Sequence, residues 1–250
     1  MENIFEIFSS ETFYLLCFFT IFLGAIIQSS VGFGFGISAA ILILFDPRLV
    51  PGTILVMGTF LATTNAIISF KNIYTKDLIV SLSGRILGSL ISLPLLLLTF
   101  GKESFLIVFA IILIIAVYFS AKKFNIVANA KNVFLASTIS GFMGTITGIG
   151  GPPMGIVYQN SKSVNVSATL NAFFSIGAFI SVIMLMYTGI IHKIDFYKAL
   201  MLLPAVILGI SVSKLSFIKN YIDNRFKNVV LAICVITAAL IMLKFIIGKI

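Results

Sequence analysis

The stretch Gly141-Phe-Met-Gly-Thr-Ile-Thr-Gly-Ile-Gly-Gly-Pro-Pro153 cuts the apolar run Val133–Gln159, and Gln28-Ser-Ser-Val-Gly-Phe-Gly-Phe-Gly36 cuts the run Phe13–Phe45. Glycine costs roughly 1 kcal/mol in a helix interior and proline about 3. Each cluster is therefore expected to end one helix and start another. As a single helix, Phe13–Phe45 would be about 50 Å long, against a hydrocarbon core about 30 Å thick. A kinked continuous helix, or close glycine packing between helices, would explain one such cluster. Two at matching places shift the balance. Gly32-x-Gly34 aligns with Gly148-x-Gly150, and Ile86-Leu87-Gly88 resembles Ile207-Leu208-Gly209. Each half reads as a broken apolar run, a long helix, a helix with an Ile-Leu-Gly step and a last helix. The halves are residues 12–121 and 131–247 of a single transmembrane domain, 1–250. Paired interruptions in two related halves point to a transporter's binding site.

Composition agrees. Of 250 residues, 60% are hydrophobic and 10% charged, where soluble domains carry about 25% charged residues. The mean hydropathy is +1.17. A soluble domain could not hide so much apolar surface. The predicted fold is an all-α membrane protein, a polytopic bundle of about eight transmembrane segments built from two repeats with Gly/Pro-broken helices. Eight spans take about 160 residues, leaving short polar joints. A transmembrane barrel is excluded, because its strands would alternate polar with apolar. The start, Met1-Glu2-Asn3 with Glu6 and Glu11 before the first apolar run, does not read as a secretory signal. Cys17 and Cys234 sit singly in apolar runs and read as packing residues.

The net charge of +9 gathers in short joints, the pattern of cytoplasmic loops and not of a nucleic-acid surface. If each broken run enters and returns to the same side, the halves are inverted. Eleven of the 17 basic residues then share one side: Lys71, Lys76, Arg85, Lys122, Lys123, Lys131, Lys162, Lys214, Lys219, Arg225 and Lys227. The positive-inside rule makes that side cytoplasmic.

All eight acidic residues lie outside the apolar interiors: Glu2, Glu6, Glu11, Asp46, Asp77, Glu103, Asp195 and Asp223. The single histidine, His192, falls in a joint. No intramembrane aspartyl protease, metalloprotease or serine hydrolase can be assembled from these groups. No metal site or cofactor motif is read, and the expectation is a protein that is not an enzyme. The usual carboxylate relay of cation pumps is missing too. The breaks suggest the opposite cargo, a small anion. A short helix is predicted to begin after Gly36 and another after Pro152. Helix N-termini carry unpaired N–H groups and roughly half a positive charge. The candidate substrate-binding residues are Gln28, Ser29, Ser30, Gly32, Gly34 and Gly36 in the first break. In the second they are Thr145, Thr147, Gly148, Gly150, Gly151, Pro152 and Pro153. Asn65, beside Thr63 and Thr64, could complete the site, as could Asn171 and Ser175, which share a helical face. Arg85 lies about 10 Å into its run. It either reaches back to the interface or attracts the anion.

These residues resemble a known family. Gln28 to Gly36, followed by Asp46-Pro-Arg-Leu-Val-Pro51, is similar to the first repeat of the sulfite exporter TauE/SafE family, and Gly141 to Pro153 is similar to the second. The resemblance spans about Phe13 to Ile247. It implies a polytopic permease of the bacterial inner (plasma) membrane that moves small sulfur-containing anions outward, with sulfite and organosulfonates as substrate class. Members often carry a proline near the positions of Ala39 and Ala40. This chain has none there, which implies a first half-helix more continuous than the second. The expected partners are the lipid bilayer and the anion, without nucleic acid. A passive anion channel and a non-transporting membrane subunit or assembly factor are the alternatives. No GxxxxGK[ST] stretch is present, so energy would come from a gradient or the membrane potential.

Overall fold

A computed structural model describes residues 11–121, 126–159, 164–215, 236–241 and 243. Among these residues every regular element is helical. In chain order they are α1 (Glu11–Val31), α2 (Gly36–Phe45), a 3-10 turn (Pro47–Leu49), α3 (Gly52–Ile68), a second 3-10 turn (Phe70–Asn72), α4 (Thr75–Thr99), α5 (Glu103–Ala121), α6 (Ala130–Thr147), α7 (Gly151–Val157), α8 (Val164–Tyr187) and α9 (Lys193–Ser213). Five helices are long and apolar enough to cross a membrane: α1, α4, α5, Asn165–Tyr187 of α8, and α9. The last expected segment, Val229–Ile247, lies mostly outside the described residues.

Both interruptions are real. Gly32 and Gly34 hold φ of 95° and 121°, and Gly148 holds 76°, conformations that side chains with a Cβ rarely adopt. After the first break α2 runs back along α1. Ser38 Oγ donates to the Thr20 carbonyl at 3.0 Å, and Gly24 makes room for Ser38 and Phe35. After the second, α7 runs back along α6. Ser140 Oγ donates to the Gly150 carbonyl at 2.6 Å, and Val157 and Tyr158 pack in one cluster with Val133 near the start of α6. Each break is thus a helical hairpin whose return limb is short. At 10 residues, α2 covers about 15 Å, half the hydrocarbon thickness. Two positive-φ glycines stop α1 without a proline. The first return helix is the longer one, since α7 has 7 residues.

The helices then pair. α4 lies along α6, α9 along α1, and α3 along α8. Glycine permits the closest approaches. A Cβ on Gly88 of α4 would strike the Thr138 carbonyl oxygen and come within 2.8 Å of the Phe142 nitrogen on α6. A Cβ on Gly209 of α9 would come within 2.8 Å of the Phe22 carbonyl and 3.3 Å of the Ile26 nitrogen on α1. Lipid provides little hydrophobic drive between helices, so close van der Waals packing through small residues takes its place. Outward, large apolar side chains stand exposed, among them Phe19 and Leu23 on α1, Leu97 and Leu98 on α4, and Ile114 on α5. In a soluble protein such a surface would aggregate; against lipid chains it is matched.

Side chains satisfy polar groups at several helix ends. Asn129 Oδ1 accepts from the Asn132 nitrogen at 2.9 Å and caps α6. Asp195 Oδ2 accepts from the His192 nitrogen at 3.0 Å, and its Oδ1 from Thr53 Oγ1 at 3.1 Å. Asp46 pairs with Arg48 at 2.9 Å. Asp46 and Asp195 sit at helix ends, as their sequence positions imply, yet both are buried. At the opposite end of the bundle Tyr158 Oη donates to Asp77 Oδ2 at 3.2 Å.

Replacing Gly88 with valine should therefore separate α4 from α6 and destabilise the protein by about 1–3 kcal/mol, the usual range for overpacking. A fall in melting temperature in detergent checks this. Gly58→Ala, whose new Cβ would meet only the Phe35 ring at 3.4 Å, should leave the melting temperature unchanged or slightly raised.

Candidate anion-binding site

The two breaks meet. A Cβ on Gly36 would lie 2.9 Å from Ile149 Cα, and one on Gly151 would lie 3.0 Å from the Phe33 ring. Between them is a cavity of about 40 Å³, lined by glycines of both breaks together with Gln28, Arg85, Phe174 and Ala178. One water needs about 10–15 Å³ by this measure, so the cavity holds a few waters or a small ion.

Arg85 decides its chemistry. It comes from the middle of α4 and is only 2% exposed, so it does not reach back to the interface. Its Nη1 donates to the Ser140 carbonyl at 2.7 Å. Nη2 lies 3.5 Å from Ser181 Oγ, at the limit of a hydrogen bond. The guanidinium carbon stands 5.8 Å from the centre of the Phe173 ring, within cation–π range. Nε has no partner. The cavity lining contains no carboxylate. A buried guanidinium normally pairs with an acid, because an unpaired buried charge carries a penalty of several kcal/mol. Among the described residues all its partners are neutral.

Glycine makes the room. A Cβ on Gly144 would lie 2.5 Å from Nη1, one on Gly150 2.9 Å from the same atom, and one on Gly177 2.8 Å from Nε. Behind the guanidinium three fully buried hydroxyls form a cluster. Thr145 Oγ1 lies 2.8 Å from Ser89 Oγ and 2.8 Å from Ser181 Oγ. This cluster holds Ser181 beside Arg85.

The residues singled out in the sequence divide into two groups. Gln28, Gly34, Gly36, Gly148, Gly150 and Gly151 line the cavity together with Arg85. The others serve the frame. Gly32 packs against Ser167. Ser29 Oγ accepts from Asn65 Nδ2 at 2.9 Å, and Ser30 donates to the Ile26 carbonyl one turn back. Thr147 Oγ1 donates to the Met143 carbonyl and accepts from the Ile149 nitrogen at 3.0 Å, closing the turn. Ser175 shares a 2.7 Å hydrogen bond with Thr63. Asn171 donates to the Ser167 carbonyl at 3.0 Å, and its Oδ1 is buried without a partner.

Two helix N-termini are expected to face the cavity with free N–H groups, and part of that supply is taken. Pro152 and Pro153 occupy the first turn of α7 and have no N–H to offer, and a helix of two turns builds little macrodipole. At the start of α2 the Phe35 nitrogen donates to Gln28 Oε1 at 3.3 Å, while the Ile37 and Ser38 nitrogens donate to the carbonyls of Gly34 and Phe35. The fixed charge at the cavity is Arg85. Sequence reasoning missed its partners Ser140, Ser181 and Phe173, and the glycines Gly144 and Gly177. The spacing of small residues, Gly141 with Gly144 and Gly177 with Ser181, was the available signal.

A family model described as Sulfite exporter TauE/SafE matches residues 17–242. No curated protein and no solved structure matches the chain.

The crowding of Gly144 against Arg85 predicts an energetic coupling. Gly144→Ala should destabilise wild type by pushing the guanidinium off the Ser140 carbonyl, and should be close to neutral in an Arg85→Met background. A double-mutant cycle on unfolding in detergent should give a coupling of about 1 kcal/mol or more. Additive effects would place the side chain elsewhere.

Proposed function

Since the chain belongs to the sulfite exporter TauE/SafE family, a family of membrane transporters, we propose that it is a secondary transporter of small anions whose substrate sits against Arg85. The observation that carries this reading is the unpaired, buried guanidinium at a cavity where two interrupted helices meet. A cation without a counter-charge is a poor structural element and a good receptor for an anion, because guanidinium donors match an oxyanion's acceptors. Glycine at Gly34, Gly148 and Gly150 lets the anion approach the backbone. Sulfite or an organosulfonate is the substrate class, and the small cavity favours the former.

The site lies between two inverted repeats in this reading, residues 12–121 and 131–247. The helix pairing supports it. The fourth helix of one half packs on the first of the other in both directions, α4 on α6 and α9 on α1, while α3 and α8 pair with each other. Gly88 faces Thr138 and Phe142 as Gly209 faces Phe22 and Ile26. Those residues stand at the same spacing before Gly148-x-Gly150 and Gly32-x-Gly34. Each hairpin returns to the side it entered from, which is the arrangement that gathers most basic residues on one side. That side is then cytoplasmic, in a bacterial inner membrane, and cargo leaves the cell. At 100 mV, inside negative, export of one negative charge gains about 2.3 kcal/mol.

Flux in proteoliposomes tests this. Wild type loaded with sulfite should give saturable efflux, competed by related oxyanions. Arg85→Gln should slow it at least about tenfold, equivalent to about 1.4 kcal/mol of lost stabilisation. Gly150→Leu should do the same, since its side chain would enter the space between Arg85 Nη1 and Ser140. Both proteins must remain folded by size-exclusion profile. Full activity in Arg85→Gln would refute the site, and flux of another anion without sulfite flux would keep the mechanism and discard that substrate.

A further inference from the structure

We infer that the protein is an anion exchanger: the site does not return empty, and a second small anion occupies it on the return half of the cycle. This rests on the transporter reading above. The guanidinium of Arg85 is almost wholly buried, and its Nε has no partner. When cargo leaves, something must compensate that charge during the passage through a closed state. Arginine does not lose its proton in proteins, so deprotonation is closed as a route.

An internal carboxylate swinging in would be the second route. Among the described residues the carboxylates nearest the hairpins are engaged at the ends of the bundle. Asp46 holds Arg48, Asp195 holds Thr53 and the His192 nitrogen, and Asp77 takes the Tyr158 hydroxyl. Among the described residues the groups that touch the guanidinium are a carbonyl, a hydroxyl and an aromatic face, all neutral. The remaining route is another anion. A cavity of about 40 Å³ restricts it to small inorganic ions, of which chloride is the simplest probe.

Wild-type protein in liposomes loaded with labelled sulfite decides the matter, with potassium and valinomycin on both sides so that charge build-up does not limit efflux. Outside, chloride, unlabelled sulfite or bulky gluconate is supplied. Efflux into chloride or sulfite should run roughly 100-fold faster than into gluconate, because the empty return leaves a buried charge uncompensated. Acceleration by outside sulfite alone would sustain exchange and exclude chloride as counter-anion. Equal rates in all three media would overturn exchange and leave the transporter reading standing. Absence of efflux in every medium would overturn the transporter reading and exchange with it. In Arg85→Gln, folded by size-exclusion profile, the ratio of exchange to net efflux should fall toward one. A ratio unchanged from wild type would remove Arg85 as the cause.

Discussion

A guanidinium held inside an apolar bundle by neutral partners alone is the constraint around which the rest is arranged. Arg85 projects from α4 into the crossing with α6 and α8, where glycines make its room and the Phe173 ring covers it. Gly144 and Gly150 border Nη1, Gly177 borders Nε, and Gly141 lies against the Arg85 backbone itself. Close helix packing and accommodation of the arginine are therefore one requirement met by the same glycines. Ser89, Thr145 and Ser181 satisfy one another behind it, so no further charge is needed to bury them. The result is a polar centre in which Arg85 Nε has no hydrogen-bond partner.

The interruptions serve this centre through geometry more than through helix dipoles. At Gly148 the chain turns in a left-handed conformation, and Thr147 ties the turn to α6 by accepting from the Ile149 nitrogen. The turn brings Gly150 to Arg85 and leaves Ile149 to meet Gly36 of the other hairpin. Prolines then start α7 without donors of their own. A backbone rich in free N–H groups would bind anions indiscriminately. Around the cavity the Phe35 and Gly148 nitrogens already have acceptors, and the one charged side chain in the lining is Arg85.

Much of this was legible in the sequence, for reasons that also mark where legibility ended. Backbone consequences of glycine and proline are local, so the breaks and the start of α2 at Gly36 fall where the residues place them. α7 begins at Gly151, one residue before the pair of prolines rather than after Pro152. The missing proline near Ala39 suggested continuity, but positive φ at Gly32 and Gly34 stops α1 without it. The depth of Arg85 was readable from its place in a run. Its direction was readable too, and went unread: Ser81, Gly84, Gly88, Ser89 and Ser92 recur with Arg85 on the small, polar face of α4 that is buried, while Ile79, Ile86, Leu90 and Leu97 are exposed. Its partners Ser140 and Ser181 lie 55 and 96 residues away in the chain, a distance over which spacing carries no signal.

The two-repeat reading also explains why there is one cation and not two. Arg85 precedes Ile86-Leu87-Gly88 as Val206 precedes Ile207-Leu208-Gly209. Gly88 and Gly209 meet corresponding backbone atoms on α6 and α1, so the two positions are equivalent in that frame. Val206 is fully buried in the apolar core. An arginine there would bury a charge in the apolar core. One of the two positions thus packs in the core, while the other places its side chain at the cavity. The guanidinium lies against the α6–α7 hairpin, where Gly144 and Gly150 border it. The Arg85–Ser140 hydrogen bond joins α4 to α6, and the contacts of Arg85 with Ser181 and Phe173 join α4 to α8, so one side chain ties three helices together at the cavity.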